Sequence, residues 1–226
     1  MTSFAPRCVS IDLEVGREDG VIRRFAAVRG DTGEAFTYRG GDLLKALAKL
    51  DGFAEGAAFA LGHNLIAFDA PHLEAAKPDL KLLQLPRVDT LRLNPLAFPR
   101  NPYHHLVKHY QDGQLKRGRV NDPELDARLT LDVFADQQRA LREVAPDLLV
   151  AWHWLTGAEG FDPVFATIRR SVRPERTEAH DAIKNRLRGK TLIIDSSQAF
   201  DTWAAPAEAP ERKLIDWLPR FRRKSA

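Results

Sequence analysis

Residues 8–14 read CVSIDLE: Cys8, Val9, Ser10, Ile11, Asp12, Leu13 and Glu14. Cys8 to Leu13 is a short apolar-rich run that ends in acids, the pattern of a strand. Side chains two apart on a strand point to the same side, so Asp12 and Glu14 would present two carboxylates to one cation. Val21 to Arg29 and Glu34 to Tyr38 follow, separated by the turn residues Gly20, Gly30, Asp31 and Gly33. Three consecutive strands in a meander are expected. Gly41 to Leu50 then carries Leu43, Leu44, Leu47 and Leu50 at the spacing of one helical face, and Asp42 is placed to cap its start.

Further along, Ala57 to Leu61 is a short apolar run ending at Gly62, and Ile66 to Ala76 reads as a helix with Pro71 near its first turns. Val88 to Leu91 reads as a short strand. An irregular stretch with Pro95, Pro99 and Pro102 comes next, then a helical reading for Tyr103 to Tyr110 and the strongest helical signal in the chain, Pro123 to Val144. The order βββαβαβα, with helices on both sides, predicts an α/β fold, an α/β/α sandwich around a mixed five-stranded sheet. Beyond Ala145 the character changes: Trp152, Trp154, Phe161, Phe165 and Trp203 are scattered among short helix-like segments, and only Thr191 to Ile194 looks like a strand. Residues 1–145 are therefore expected to form one domain and residues 146–226 a mostly helical C-terminal appendage, with Ala204 to Pro210 as a linker or loop.

A chain of 226 residues with 44% hydrophobic composition can bury a core without staples. Cys8 is the only cysteine, which excludes an internal disulfide and a Cys/His zinc cluster and fits a reducing, cytoplasmic setting. Neither secretion nor membrane insertion is expected, since no run of eighteen or more apolar residues occurs. The net charge of +3 conceals an uneven distribution. Arg100 to Arg119, Arg169 to Lys190 and Glu211 to Ala226 carry +4, +5 and +4, so the remainder is acidic. An acidic body with basic segments would hold metal ions in one place and phosphates in another; solvated helix faces remain the plainer reading of each segment.

Two further elements join Asp12 and Glu14. One is Gly62-His63-Asn64-Leu65-Ile66-Ala67-Phe68-Asp69, where a strand ends and a helix begins, so that Asp69 would enter the crevice at the sheet's carboxyl edge. The other is Asn121-Asp122-Pro123-Glu124-Leu125-Asp126-Ala127-Arg128, which opens the long helix with Asp126 in its first or second turn. Asp12-Leu-Glu14, the His-Asn-x4-Asp element and Asp126-Ala-Arg together resemble the three exonuclease motifs of the DEDD (DnaQ-like) 3′-to-5′ exonucleases, in the family's order and within about the first 145 residues. The resemblance implies an RNase H-like fold, hydrolysis at a 3′ end of DNA or RNA, and two Mg2+ or Mn2+ ions held by Asp12, Glu14, Asp69 and Asp126. Carboxylates suit such hard cations, and paired cations about 4 Å apart stabilise charge on both the attacking and the leaving oxygen. Without metal, such acids repel one another, so raised carboxylate pKa values are expected.

The chain departs from the family where a general base is expected. Asn121 stands in the place of the usual histidine, and Asp122 in the place of the tyrosine of the other common branch. A neutral amide orients water but does not take its proton near pH 7. Three readings stay open: a working variant, since loss of a general base typically costs ~10²- to 10⁴-fold; a histidine such as His104, His105 or His109 acting as base; or an end-binding module that does not cut. His63 and Asn64 are candidates for substrate contact or for holding the turn. Leu13 is a candidate for apolar contact with the terminal base, and Phe68 reads as a core residue with the same contact as its alternative. Tyr103, His104, His105, Lys108 and Arg119 belong to a basic stretch that would line the path of a single strand through phosphate contacts and stacking, or form a mobile loop. The function expected is therefore a metal-dependent exonuclease on single-stranded 3′ ends. The rival is a nucleic-acid-binding accessory module, one half of a helicase or repair assembly in cis or in trans.

Overall fold

The computed structural model describes residues 7–101, 104, 106, 122–157 and 160–187. Its sheet has five strands in the order β3-β2-β1-β4-β5. Strand β1 (Cys8–Val15) is central and runs antiparallel to β2 (Ile22–Arg29), which pairs antiparallel with β3 (Ala35–Tyr38). Short turns suffice for these connections, whereas β4 (Phe59–Gly62) and β5 (Arg87–Asp89) lie parallel to β1 and need crossovers. Helix α1 (Leu43–Phe53) makes the first crossover, starting where the Asp42 carboxylate accepts the Lys45 N–H. Helix α2 (Ala70–Ala76) lies in the second.

Strand alternation divides the core into two layers. Val9, Ile11 and Leu13 of β1 face α1 and α2 through Leu47, Leu50 and Leu73. Cys8, Phe59, Leu61 and Val88 face α3 (Thr90–Ala97) and α4 (Pro123–Arg142), with Phe59 and Phe134 edge to face at 5.8 Å. Leu149 of α5 (Pro146–Thr156) and Phe165 of α6 (Asp162–Arg169) belong to this same second cluster. Helix α7 (Arg176–Leu187) packs on α5. Among the described residues the protein is thus α/β, with an open mixed sheet and seven α-helices, compatible with an α/β sandwich. No helix among them is long and apolar enough to cross a membrane.

Three local expectations are corrected. The helix expected from Ile66 begins as a π-helical turn over Leu65–Asp69 and becomes α2 at Ala70. The strand expected over Val88 to Leu91 ends at Asp89, whose side chain caps α3 by accepting the Leu91 N–H at 3.0 Å. Pro95, expected in irregular chain, lies inside α3 and costs it one backbone hydrogen bond. Burial of Leu93 and Ala97 offsets that loss. The strand expected at Thr191 to Ile194, the linker at Ala204 to Pro210 and most of Tyr103 to Tyr110 lie outside the described residues.

On α5, His153 is fully buried. Its Nδ1 accepts from Arg169 at 2.8 Å, so its Nε2–H donates to Asp162 at 2.9 Å. Burial, helped by Arg169 and Arg173, lowers the His153 pKa and favours this neutral form.

The turn before α6 lies against the backbone of the outer strand β5. Gly160 has φ +93° there, and a Cβ on it would stand 2.3 Å from the Arg87 carbonyl oxygen. Gly160→Ala is expected to destabilise the fold by about 3 kcal/mol, from backbone strain and overpacking together. Urea denaturation followed by circular dichroism measures this; an unchanged midpoint would show that the turn does not need glycine.

Candidate active site

Strand β4 ends at Gly62, opposite Asp89 of β5, and the chain folds back over it at once. A Cβ on Gly62 would lie 2.7 Å from the Leu65 Cβ and 3.3 Å from the Ile11 carbonyl oxygen, so only glycine permits the approach. Asn64 takes the left-handed conformation, φ 72°, which asparagine tolerates better than most residues, and the π-helical turn starts from it. Asp89, 1% exposed, holds this turn: one carboxylate oxygen accepts the Asn64 N–H and the other the Ile66 N–H, both at 3.0 Å.

This turn brings Asp69 to β1. Its Oδ1 accepts the Leu13 N–H at 3.2 Å, where β4 no longer supplies an acceptor. Asp69 is 2% exposed. Burial first, then the charges of Asp12 and Asp89, push its carboxyl well above the usual range, against the lowering by the Leu13 amide. Leu13 itself packs in the core on the face opposite Asp12 and Glu14, so it borders the crevice through its main chain.

Asp12 and Glu14 share the α4 face of β1 with Ser10. The Ser10 hydroxyl donates to the Ala127 carbonyl at 2.8 Å and so fixes the first turns of α4 on that face. Asp126, one residue earlier, is 4% exposed, and its carbonyl accepts the Thr130 hydroxyl at 2.8 Å. Asp122 caps α4, accepting the Glu124 N–H at 3.1 Å. Arg128 ties the helix to the β2–β3 turn by donating to the Gly33 carbonyl at 3.2 Å.

The structure therefore sets the buried Asp69 where the charge of Asp12 raises its pKa, after burial, and carries Glu14 and Asp126 on elements of the same side of the sheet. Among the described residues no three His, Cys, Asp or Glu side chains converge as a metal-holding group. The donor chemistry nevertheless suits a hard divalent cation: carboxylates only, with Glu14 Oε1 buried and lacking a hydrogen-bond partner among the described residues. Burial pushes the Cys8 thiol up to about 12, which rules it out as a nucleophile at neutral pH.

His63 is held by Thr90. The Thr90 hydroxyl donates to the Gly62 carbonyl at 3.1 Å and therefore accepts from His63 Nδ1–H at 2.9 Å. The Thr90 carbonyl accepts from Gln137 of α4 at 2.8 Å, Gln137 also donates to Asn94 at 2.6 Å, and Asn94 donates to the His104 carbonyl at 3.1 Å. Tyr103, His105, Lys108, Arg119 and Asn121 lie outside the described residues. Phe68 is not the expected core residue: it is 41% exposed, edge-on to His72 at 4.9 Å. The turn points Leu65 and Asp69 inward and leaves Phe68 to solvent.

Sequence reasoning missed Asp89, Thr90, Gln137 and Arg24. Strand period carried the signal for Arg24, which stands directly across from Glu14. No protein-family model matches this chain, and no curated protein matches it.

A carboxyl whose folded pKa is raised contributes most to stability at low pH and loses that contribution as pH rises from the unfolded value through the folded one. Asp69→Asn keeps the acceptor for Leu13 and removes the charge. It is expected to raise Tm at pH 7.5 in EDTA, with the gain shrinking as pH falls towards 3.8, the ordinary value for the group. Thermal melts of both proteins across this range test the assignment; a gain that does not depend on pH would contradict it.

Proposed function

We propose that this chain is a metal-dependent 3′-to-5′ exonuclease of single-stranded DNA or RNA, built on an RNase H-like sandwich. The observation that carries the reading is the burial of Asp69 at the carboxyl edge of the central strand, where it accepts the Leu13 amide but burial first, and then the charge of Asp12, drive its pKa up. Structural carboxylates elsewhere in the chain are placed differently: Asp31 pairs with Arg29, and Asp42 and Asp122 cap helices. Buried acids set against each other destabilise the fold unless a cation joins them. The strand order and the placement of Ser10, Asp12 and Glu14 beneath α4 agree with the reading.

Asp12, Glu14, Asp69 and Asp126 would hold the ions. Bound Mg2+ or Mn2+ supplies charge stabilisation at the attacking and leaving oxygens and acidifies a water. The residues' own part is to fix those charges on rigid elements: β1 carries Asp12 and Glu14, the Asp89-pinned turn carries Asp69, and the Ser10-anchored helix carries Asp126. Phe68, exposed next to Asp69, offers an apolar surface at the rim. Asn121, which can orient a water but not deprotonate it near neutral pH, favours a second reading, a domain that binds 3′ ends without cutting.

A time course on 3′-labelled and 5′-labelled single-stranded DNA and RNA, with Mg2+, Mn2+ or EDTA, tests both. Stepwise shortening from the 3′ end that requires metal is expected. Asp12→Ala should reduce it by more than ~10²-fold with an unchanged circular dichroism spectrum. Full activity in Asp12→Ala would sink the site, and tight end binding without cleavage would favour the second reading.

A further inference from the structure

Among the described residues Arg24 is the one cation that the strand register places directly opposite an acid of the proposed site. It pairs with Glu14 across β1 and β2, on the face that also carries Asp12 and Ser10. The other arginines nearby are consumed by structure. Arg23 points to the opposite face and bonds Asp19; Arg29 bonds both oxygens of Asp31 and two carbonyls; Arg128 bonds Glu124 and Gly33. Among the described residues Arg24 makes a single ion pair, to Glu14, with Nε 3.7 Å from Oε2. That separation is beyond hydrogen-bond length, and the Arg24 side chain is 47% exposed against 19% for Glu14. The guanidinium is thus tethered to the site by charge, and among the described residues its N–H donors have no hydrogen-bond partner. Glu14 Oε1, meanwhile, is buried without a hydrogen-bond partner among the described residues.

Resting on the reading of the preceding subsection, we propose that Arg24 is the phosphate anchor of this site: it neutralises Glu14 in the metal-free protein and passes to the substrate's phosphodiester when a divalent cation takes Glu14. The guanidinium fork matches two oxygens of a phosphate, and a half-exposed, loosely held ion pair is cheap to exchange. A divalent cation and Arg24 compete for one carboxylate, so metal loading frees the anchor. By linkage, phosphate binding to Arg24 then strengthens metal binding by the same factor. The substrate class follows as a chain end with a phosphodiester beside the ions, and the product as a nucleoside 5′-monophosphate held by the same contact.

The test uses Arg24→Gln, which removes the charge at similar length, and Arg24→Lys, which keeps the charge and loses the fork. Mn2+ affinity without nucleic acid, measured by calorimetry, should rise ~5-fold in Arg24→Gln and stay near wild type in Arg24→Lys. Affinity for 5′-AMP and 5′-dAMP in saturating Mn2+ should fall ~10-fold in Arg24→Gln and less in Arg24→Lys. On an oligonucleotide, KM should rise by a similar factor while kcat changes little. If the wild type binds Mn2+ and cleaves but Arg24→Gln leaves Mn2+ and monophosphate affinity unchanged, or weakens Mn2+ binding, the inference is overturned and the exonuclease reading stands. A wild type that neither binds Mn2+ nor cleaves overturns both.

Discussion

Asp89 accepts backbone N–H groups from Asn64, Ile66 and Leu91, and the rest of the candidate site depends on those bonds. The first two belong to the turn leaving β4 and the third to the start of α3, so one buried side chain joins the crevice wall to the helix behind it. Buried backbone donors without acceptors cost roughly 1–3 kcal/mol each, and here a single carboxylate satisfies the set. The π-helical turn that carries Asp69 inward is otherwise held by its own main chain and by Leu65 in the core. Removing Asp89 would release the turn and with it the position of Asp69.

The cost of this arrangement is electrostatic. Asp89 contributes to the rise of the Asp69 pKa, after burial and Asp12, so the residue that builds the site also strains it. Compensation is partial: the Leu13 amide reaches Asp69, and Arg24 stands near Glu14. Proteins commonly tolerate such local instability where function needs it and recover stability elsewhere. The two apolar layers and the His153 network serve that purpose.

Much of the frame was legible because its causes are local. The alternation in Cys8 to Glu14 placed Asp12 and Glu14 on one face, and Asp42 before the leucine stripe marked the start of α1. The motif spacing singled out Asp69 and Asp126, both of which prove buried, but spacing says nothing about how closely they meet. Asp89 stayed hidden because it acts as a helix cap only if α3 exists, and Pro95 argued against α3. Thr90, Gln137 and Asn94 owe their importance to partners far away in sequence, on another helix or strand, and no local pattern announces such bonds. Phe68 was misplaced because a π-helical turn shifts the inward positions that an α-helical spacing would assign.

The acids are therefore tied down by separate devices: Asp69 through Asp89 and Leu13, Asp126 through Ser10 and Ala127, and Glu14 by its place on β1. Each device is a backbone attachment to a strand or to the start of a helix. On the proposed reading, ions must then gather their ligands by side-chain rotation rather than by movement of the chain, which fits a set of carboxylates without a compact group of three among the described residues. Preorganised elements with adjustable side chains keep the ordering cost of ion binding small. Arg24 fits the same logic, since its long side chain on the fixed strand β2 can leave Glu14 without disturbing the register that placed it there.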